Sequence, residues 1–132
     1  MGKQDNAKLC NALIKSIRTI SIRVNDANLA TEIRDEARPI FKTIRTESLT
    51  FYQNLLDGNI DATDGEWKLV KTMRENIEDS EADHLVHELK GYQEYLESAT
   101  EDLDPITDNP LGDDDIIDES KLSALEVEVP TT

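Results

Sequence analysis

Residues 4–24, QDNAKLCNALIKSIRTISIRV, contain the pattern that decides the fold class. Apolar residues recur there at alternating spacings of three and four, which places them on one face of a helix. Segment 19–24 also alternates apolar and polar residues, as a strand does, but no partner segment exists elsewhere. We therefore predict a helix over 4–24. Its apolar face consists of Cys10, Leu13, Ile17, Ile20 and Val24.

A second helical pattern follows a break at Asn25 and Asp26, either of which can cap a helix by accepting a backbone N–H. The pattern predicts a helix over 27–56, in which Pro39 removes one hydrogen bond. Two possibilities stay open: one kinked helix, or two helices that meet near Arg38. The apolar residues of the pattern are Leu29, Ile33, Ala37, Ile40, Ile44, Phe51 and Leu55.

Two further helices are predicted in the middle of the chain. Thr63 and Glu66 match a capping box, and the apolar residues after them lie on one helical face. Ser80 with Asp83 marks the start of another helix. Four to five helices joined by short loops predict an all-α fold, a small antiparallel helical bundle over residues 1–102.

Residues 103–132 are predicted to form an extended acidic C-terminal arm, because prolines and Gly112 interrupt any helix. Nine acidic and no basic residues lie between 101 and 119, and such a block repels itself. Apolar clusters interrupt the arm, and a purely solvating tail does not need them. We therefore predict that it docks on a neighbouring subunit or a basic partner. The predicted partner-binding residues are Asp113, Asp114, Asp115, Ile116, Ile117, Leu122, Leu125, Val127 and Val129.

The charge is distributed unevenly along the 132 residues, which carry a net charge of −15. Residues 1–56 hold nine basic and six acidic residues, a net charge of +3. Residues 57–132 hold five basic and 23 acidic residues, a net charge of −18. This asymmetry suits an arm that docks on a basic partner, an arm that folds back on the chain's own basic helices, or mimicry of a polyanion.

Metal sites have weak support in the sequence, and no metal or other cofactor is expected. Glu81 and His84 have the spacing of a di-metal carboxylate site, but such a site needs a second pair, and His87 is the only other histidine. The segment from Asp57 to Thr63 alternates oxygen ligands like a calcium loop. However, Lys68 stands where the loop needs its bidentate glutamate.

Catalysis also has little support. Cys10, the single cysteine, lies on the apolar face of the first helix and is interpreted as a small buried hydrophobe. The five glycines are scattered singly, so no phosphate-binding loop is formed. The lone cysteine indicates a reducing compartment, the cytoplasm or a particle assembled there. The longest apolar runs are three residues, which predicts no membrane segment.

We predict a non-catalytic protein of protein–protein interaction or assembly, for instance a component or assembly factor of a viral or phage particle. A protein partner or a homo-oligomer is expected. Two alternatives stay open. One is an acidic inhibitor that imitates DNA to block a nucleic-acid-binding enzyme. The other is a nucleic-acid-handling or packaging protein that uses the basic helices of residues 1–56.

Overall fold

The computed structural model describes residues 2–112, 114 and 116–130, with side chains from residue 4 onward. Across this described part the chain is helical and contains no strand, which confirms the all-α prediction. The helices are α1 (Gly2–Val24), α2 (Thr31–Leu56), α3 (Glu66–Asp79), α4 (Ala82–Ala99) and the short α5 (Glu119–Ala124).

The four long helices form two hairpins that pack side by side. α1 packs against α2 and α3, and α4 packs against α2 and α3, so the bundle has the order α1–α2–α4–α3. α1 and α3 run parallel. Lys8 lies over the Trp67 ring at their first turns, and Arg23 donates to the Ser80 carbonyl at their last turns. Helices joined by a short loop are antiparallel, as predicted for a bundle.

α1 and α2 are buried on more than one face. The predicted apolar face of α1 is fully buried, and Leu9 and Ile14 beside that face are buried too. In α2 five consecutive residues are buried, which is more than one turn of the helix. A complete turn is buried only where neighbours cover it on all sides. The five residues are Ser48, Leu49, Thr50, Phe51 and Tyr52.

A polar cluster lies at the centre of the bundle, with one side chain from each long helix. Burial raises the pKa of the Tyr92 hydroxyl to about 12, and Ser16, Ser48 and Arg74 favour its ionised form and so limit the increase. The Tyr92 side chain is 1% exposed. The Tyr92 and Ser48 hydroxyls are fully buried and have no hydrogen-bond partner among the described residues.

The start of α2 differs from the prediction. Asp26 does not cap the helix, because its side chain accepts from the N–H of Asn28 (3.0 Å) in the preceding loop. Arg34 donates to the Asp26 carbonyl (2.6 Å) and holds the same loop from within α2. The helix therefore begins at Thr31, four residues later than expected.

The starts of α3 and α4 also differ from their predicted caps. Glu66 accepts from the Thr63 N–H (3.0 Å), as a capping box requires, but the Thr63 hydroxyl donates to Glu66 instead of accepting from the helix. Gly65 becomes the N-cap at φ +77°, a conformation that favours glycine. Ser80 closes α3 by donating to Ile77 (2.9 Å), and α4 begins at Ala82.

Pro39 lies inside a single continuous α2, which settles the possibilities left open by the sequence. Its missing N–H leaves the Asp35 carbonyl without a helical donor. Both residues are exposed, so water can satisfy that carbonyl. The proline is tolerated because it lies on the solvent side of the helix.

We expect Pro39→Ala to raise the free energy of unfolding by about 1–3 kcal/mol, because alanine restores the hydrogen bond to Asp35 and removes the steric cost of the ring. Urea unfolding followed by circular dichroism measures the change. Glu36→Ala, at an exposed position of the same helix, is the control and should change stability by less than about 0.5 kcal/mol. Equal or lower stability of Pro39→Ala would show that the packing of α2 requires the proline geometry.

Candidate functional site

The arm, the described residues from 103 to 130, folds back on the outer side of the α1–α2 hairpin. Its first half follows α2: the N–H of Ile106 donates to the Thr50 hydroxyl (3.4 Å), and Arg45 donates to the Asp114 carbonyl (2.7 Å). The arm then crosses to α1 and contributes α5, which packs on that helix. The arm was predicted to be extended. It contains the short helix α5 and covers both α1 and α2.

The last part of the arm runs along α1 through backbone hydrogen bonds. Asn11 Oδ1 accepts from the Val127 N–H and Asn11 Nδ2 donates to the Val127 carbonyl, both at 2.7 Å. One asparagine side chain thus supplies the pair of bonds that a neighbouring strand would supply. Residues 125–129 alternate apolar and acidic side chains, a pattern that suits pairing with a sheet edge, but here the segment pairs with a helix side chain.

Two further side chains fix the same part of the arm. The Tyr52 hydroxyl donates to the Leu125 carbonyl (2.6 Å). Arg18 forms ion pairs with Glu119 (2.8 Å) and Glu126 (3.3 Å). Both carboxylates are more than half exposed, so these pairs orient the arm more than they stabilise it.

The arm completes the hydrophobic core. Leu111, Ile117 and Leu122 are at most 8% exposed and belong to the same cluster as the apolar faces of the long helices. Burying each side chain contributes about 1.5–3 kcal/mol. The boundary predicted at residue 102 therefore separates two segments of sequence that share one core.

Several predicted partner-binding residues are used within the chain. Ile117 and Leu122 are in the core, while Asp113 and Asp115 lie outside the described residues. Binding of another protein through these residues stays a prediction. Three others are half-buried: Leu125, Val127 and Val129.

Ile116 is the apolar residue of the arm that remains most exposed, at 74%. It lines a groove of about 590 Å³ between α1 and the arm, together with Ile22, which is 69% exposed. We call this the docking groove. Its wall also includes Asp26 and Glu119, and exposed Asp114 lies two residues before Ile116.

The arginines of the first two helices, which could have bound nucleic acid, donate hydrogen bonds to other parts of the chain. Arg18 and Arg45 bind the arm, Arg23 binds the end of α3, and Arg34 binds the α1–α2 loop. Arg38 also donates, to Asn25 (3.2 Å). The arginines of residues 1–56 therefore serve as connectors between segments.

A second groove lies between α1 and α3 and is lined by basic residues from both helices. It encloses about 330 Å³, and we call it the basic groove. Trp67 forms part of its wall, with the Lys8 ammonium 5.2 Å from the ring centroid. The charged residues that line it are Lys8, Lys15, Lys71 and Arg74.

No group of three potential metal ligands occurs within the described residues. Glu81, His84 and His87 are exposed on the start of α4. In the segment compared with a calcium loop, Asp61 accepts from Asn6 (3.1 Å) and Asn59 donates to Asn54 (3.0 Å). These hydrogen bonds fix the α2–α3 connection to α1 and α2.

Cys10 is buried, 1% exposed, and its thiol donates to the Tyr52 carbonyl (3.8 Å). Burial raises the pKa of the thiol to about 12. A thiol with so high a pKa is a weak nucleophile at neutral pH. The interpretation of Cys10 as a small buried hydrophobe agrees with its position.

Sequence reasoning missed the residues that hold the arm, Asn11 and Tyr52, and those of the basic groove. One signal was present: asparagine is a poor helix former, and Asn11 stands in the middle of a strong helical pattern. The groove had no such signal, because it depends on two helices distant in sequence lying side by side.

We expect Asn11→Ala to lower the free energy of unfolding by about 1–3 kcal/mol, because two backbone groups of Val127 lose their partner. Hydrogen exchange should increase for the amides of 125–130 and stay unchanged in α4. Asn76→Ala, at an exposed position of α3, is the matched control. Unaltered exchange in 125–130 would show that Asn11 does not hold the arm.

We expect stability to fall as the pH rises from 9.0 to about 12, the ordinary and the folded pKa of Cys10. The folded state retains a proton that the unfolded state loses, so the slope reaches up to about 1.4 kcal/mol per pH unit. Urea unfolding at stepped pH measures it. In Cys10→Ala the loss of stability should begin at a higher pH, where the tyrosines titrate. If this variant and the wild type show the same dependence of stability on pH, the thiol is not the cause of the loss.

No described helix combines the length and apolar character that crossing a bilayer requires. Comparison with known proteins gives no match: no protein family, no curated protein and no solved structure is significantly similar to the chain.

Proposed function

We propose that this chain is a non-catalytic interaction protein that docks another protein in its docking groove. The observation that carries the proposal is the joint exposure of Ile22 and Ile116, at 69% and 74%, on one groove. Leaving two large apolar side chains in water costs about 25 cal/mol for each Å² that a partner would cover. Exposed apolar residues gathered at one concave site are typical of interaction surfaces.

The charge around the docking groove favours a basic partner. Asp26 and Glu119 line the groove, where Arg18 pairs with Glu119, and exposed Asp114 and Asp118 stand two residues before and after Ile116 in the sequence. Such a rim steers a positively charged surface towards the groove. The partner we propose therefore presents an apolar side chain between basic residues.

In this proposal the arm remains folded on the bundle while the partner binds. Ile117 and Leu122 are needed in the core, so the residues left for contact are those exposed beside them. The arm thus contributes one wall of a preformed surface. Preformed surfaces lose less conformational entropy on binding than free tails do.

A second candidate, mimicry of a polyanion, is favoured by one specific observation. Glu47, Glu97 and Glu101 line one surface groove, and three more carboxylates line the next groove along the arm. The two grooves share Pro105, so they form a continuous acidic surface. The three further carboxylates are Asp57, Asp104 and Asp108.

The nucleic-acid-handling alternative has less support. The arginines of residues 1–56 that would bind phosphates donate instead to the chain's own groups, as described above. Lys15 and Lys42 remain exposed on α1 and α2, and Lys8 is half-buried, but these lysines without the arginines do not make a continuous phosphate-binding stripe.

We expect Ile22→Gln and Ile116→Gln each to weaken partner binding roughly ten- to a hundredfold, because each removes one apolar side chain from the contact. The full chain serves as bait in a lysate of its source, and the captured protein is then purified and titrated by calorimetry. Leu69→Gln, a 45% exposed leucine on α3, is the matched control and should bind normally.

Three results would count against docking at this groove. In the first, the full chain captures no protein that a control bait does not also capture. In the second, the wild type and both isoleucine variants bind the partner equally well. A partner that keeps its affinity for the isoleucine variants but is lost by the double variant Glu97→Gln/Glu101→Gln would instead establish the polyanion mimic.

A further inference from the structure

The basic groove is an exception on a strongly acidic protein. The whole chain has 14 Lys and Arg against 29 Asp and Glu, yet the groove collects four cations from two helices. A fifth, Lys68, lies 5.6 Å from the centroid of the same Trp67 ring. Within the described part of the chain, the only ion pairs to carboxylates are those of Arg18, so none of these five is neutralised.

Arg74 is the most informative residue of the groove. Its side chain lines the groove although the residue is only 8% exposed. Its guanidinium interacts electrostatically with the buried Tyr92 hydroxyl and forms no ion pair with a carboxylate of the described residues. No nitrogen of Arg74 is both fully buried and without a partner, so the guanidinium can be reached from the groove that it lines.

The spacing of charges on α3 points in the same direction. Lys68, Lys71 and Arg74 follow one another at intervals of three residues, which places like charges on one helical face. Each such pair destabilises a helix by roughly 0.2–0.5 kcal/mol, and Glu75 and Glu78, four residues after Lys71 and Arg74, offset part of this repulsion. An anion in the groove would relieve the remainder and supply a counter-charge for Arg74.

The size and walls of the groove restrict the anion. Its volume, about 330 Å³, is at the lower end for small-molecule sites. Ala12, Trp67 and Val129 add apolar surface to the groove, and the Lys8 ammonium lies over the Trp67 ring. A long polyanion would leave the groove onto a surface dominated by acids, whereas a compact ligand would not.

We propose that the basic groove binds a small phosphate ester that carries a flat or apolar group, a nucleotide in its chemical class. The phosphates contact Lys15, Lys71 and Arg74, which form charge-assisted hydrogen bonds with the phosphate oxygens. The flat group lies against Trp67 and Val129. The docking groove shares no residue with this site, so the two proposals stand or fall separately.

Trp67 is the only tryptophan, so its fluorescence reports on the groove directly. Titration of the full chain with ATP at low ionic strength, excited where adenine absorbs little, should give a saturable change with a micromolar dissociation constant. Calorimetry provides the same constant without an optical signal. Lys15→Glu and Lys71→Glu should each weaken binding at least about tenfold, because each replaces a charge-assisted contact by repulsion.

The controls separate the groove from general charge effects. Lys90→Glu makes the same charge change at an exposed position of α4 and should bind ATP within about twofold of wild type. Ile116→Gln, in the docking groove, should also bind normally. Because Lys15 and Lys71 are exposed, these variants keep the core intact, and circular dichroism checks this.

Several outcomes would overturn the proposal. They are the absence of saturable ATP binding, equal weakening by Lys71→Glu and Lys90→Glu, and binding of inorganic phosphate as tight as that of ATP. Tighter binding of single-stranded oligothymidylate than of ATP would also overturn it, and would assign the groove to nucleic acid.

Discussion

The first two helices carry more apolar surface than the other two long helices can cover, and the rest of the structure depends on this excess. In α2 a whole turn is buried, and in α1 Leu9 and Ile14 extend the buried surface beyond the predicted face. Two-layer packing of helices leaves one side of each helix to water. The arm supplies the missing cover, with Leu111, Ile117 and Leu122 as its buried contacts.

The charged residues have two different roles: the arginines of residues 1–56 connect segments of the chain, whereas most acids and lysines remain on the surface. Arginines of the basic half donate mostly to backbone carbonyls in loops and in the arm, which suits a planar group with several donors. Among the described residues only Arg18 pairs with carboxylates of the arm. The acids of the arm therefore remain largely on the surface, and the lysines near Trp67 remain without counter-charges. Opposite charges thus coexist on one small protein without neutralising each other.

The helical periodicity predicted the four long helices because their apolar faces are buried as the spacing requires. It missed the starts of three of them. Asp26 bonds to a loop, Ser80 bonds to the preceding helix, and the Thr63 hydroxyl donates to the Glu66 side chain and therefore does not accept from the backbone of α3. An arm that folds back on the chain's own basic helices was one of three possibilities, and the sequence did not select it, because a wide apolar face looks the same whichever chain covers it. The basic groove depends on α1 and α3 lying parallel, a tertiary fact that no local pattern contains.

The bonds between Asn11 and Val127 join residues 116 positions apart. During synthesis α1 and α2 emerge long before the arm, so their outer side stays uncovered until the arm has been made. Contacts of such long range are slow to form, and uncovered apolar surface promotes association with other chains. Ribosomal synthesis therefore exposes the α1–α2 hairpin to chaperones and to aggregation until the arm emerges.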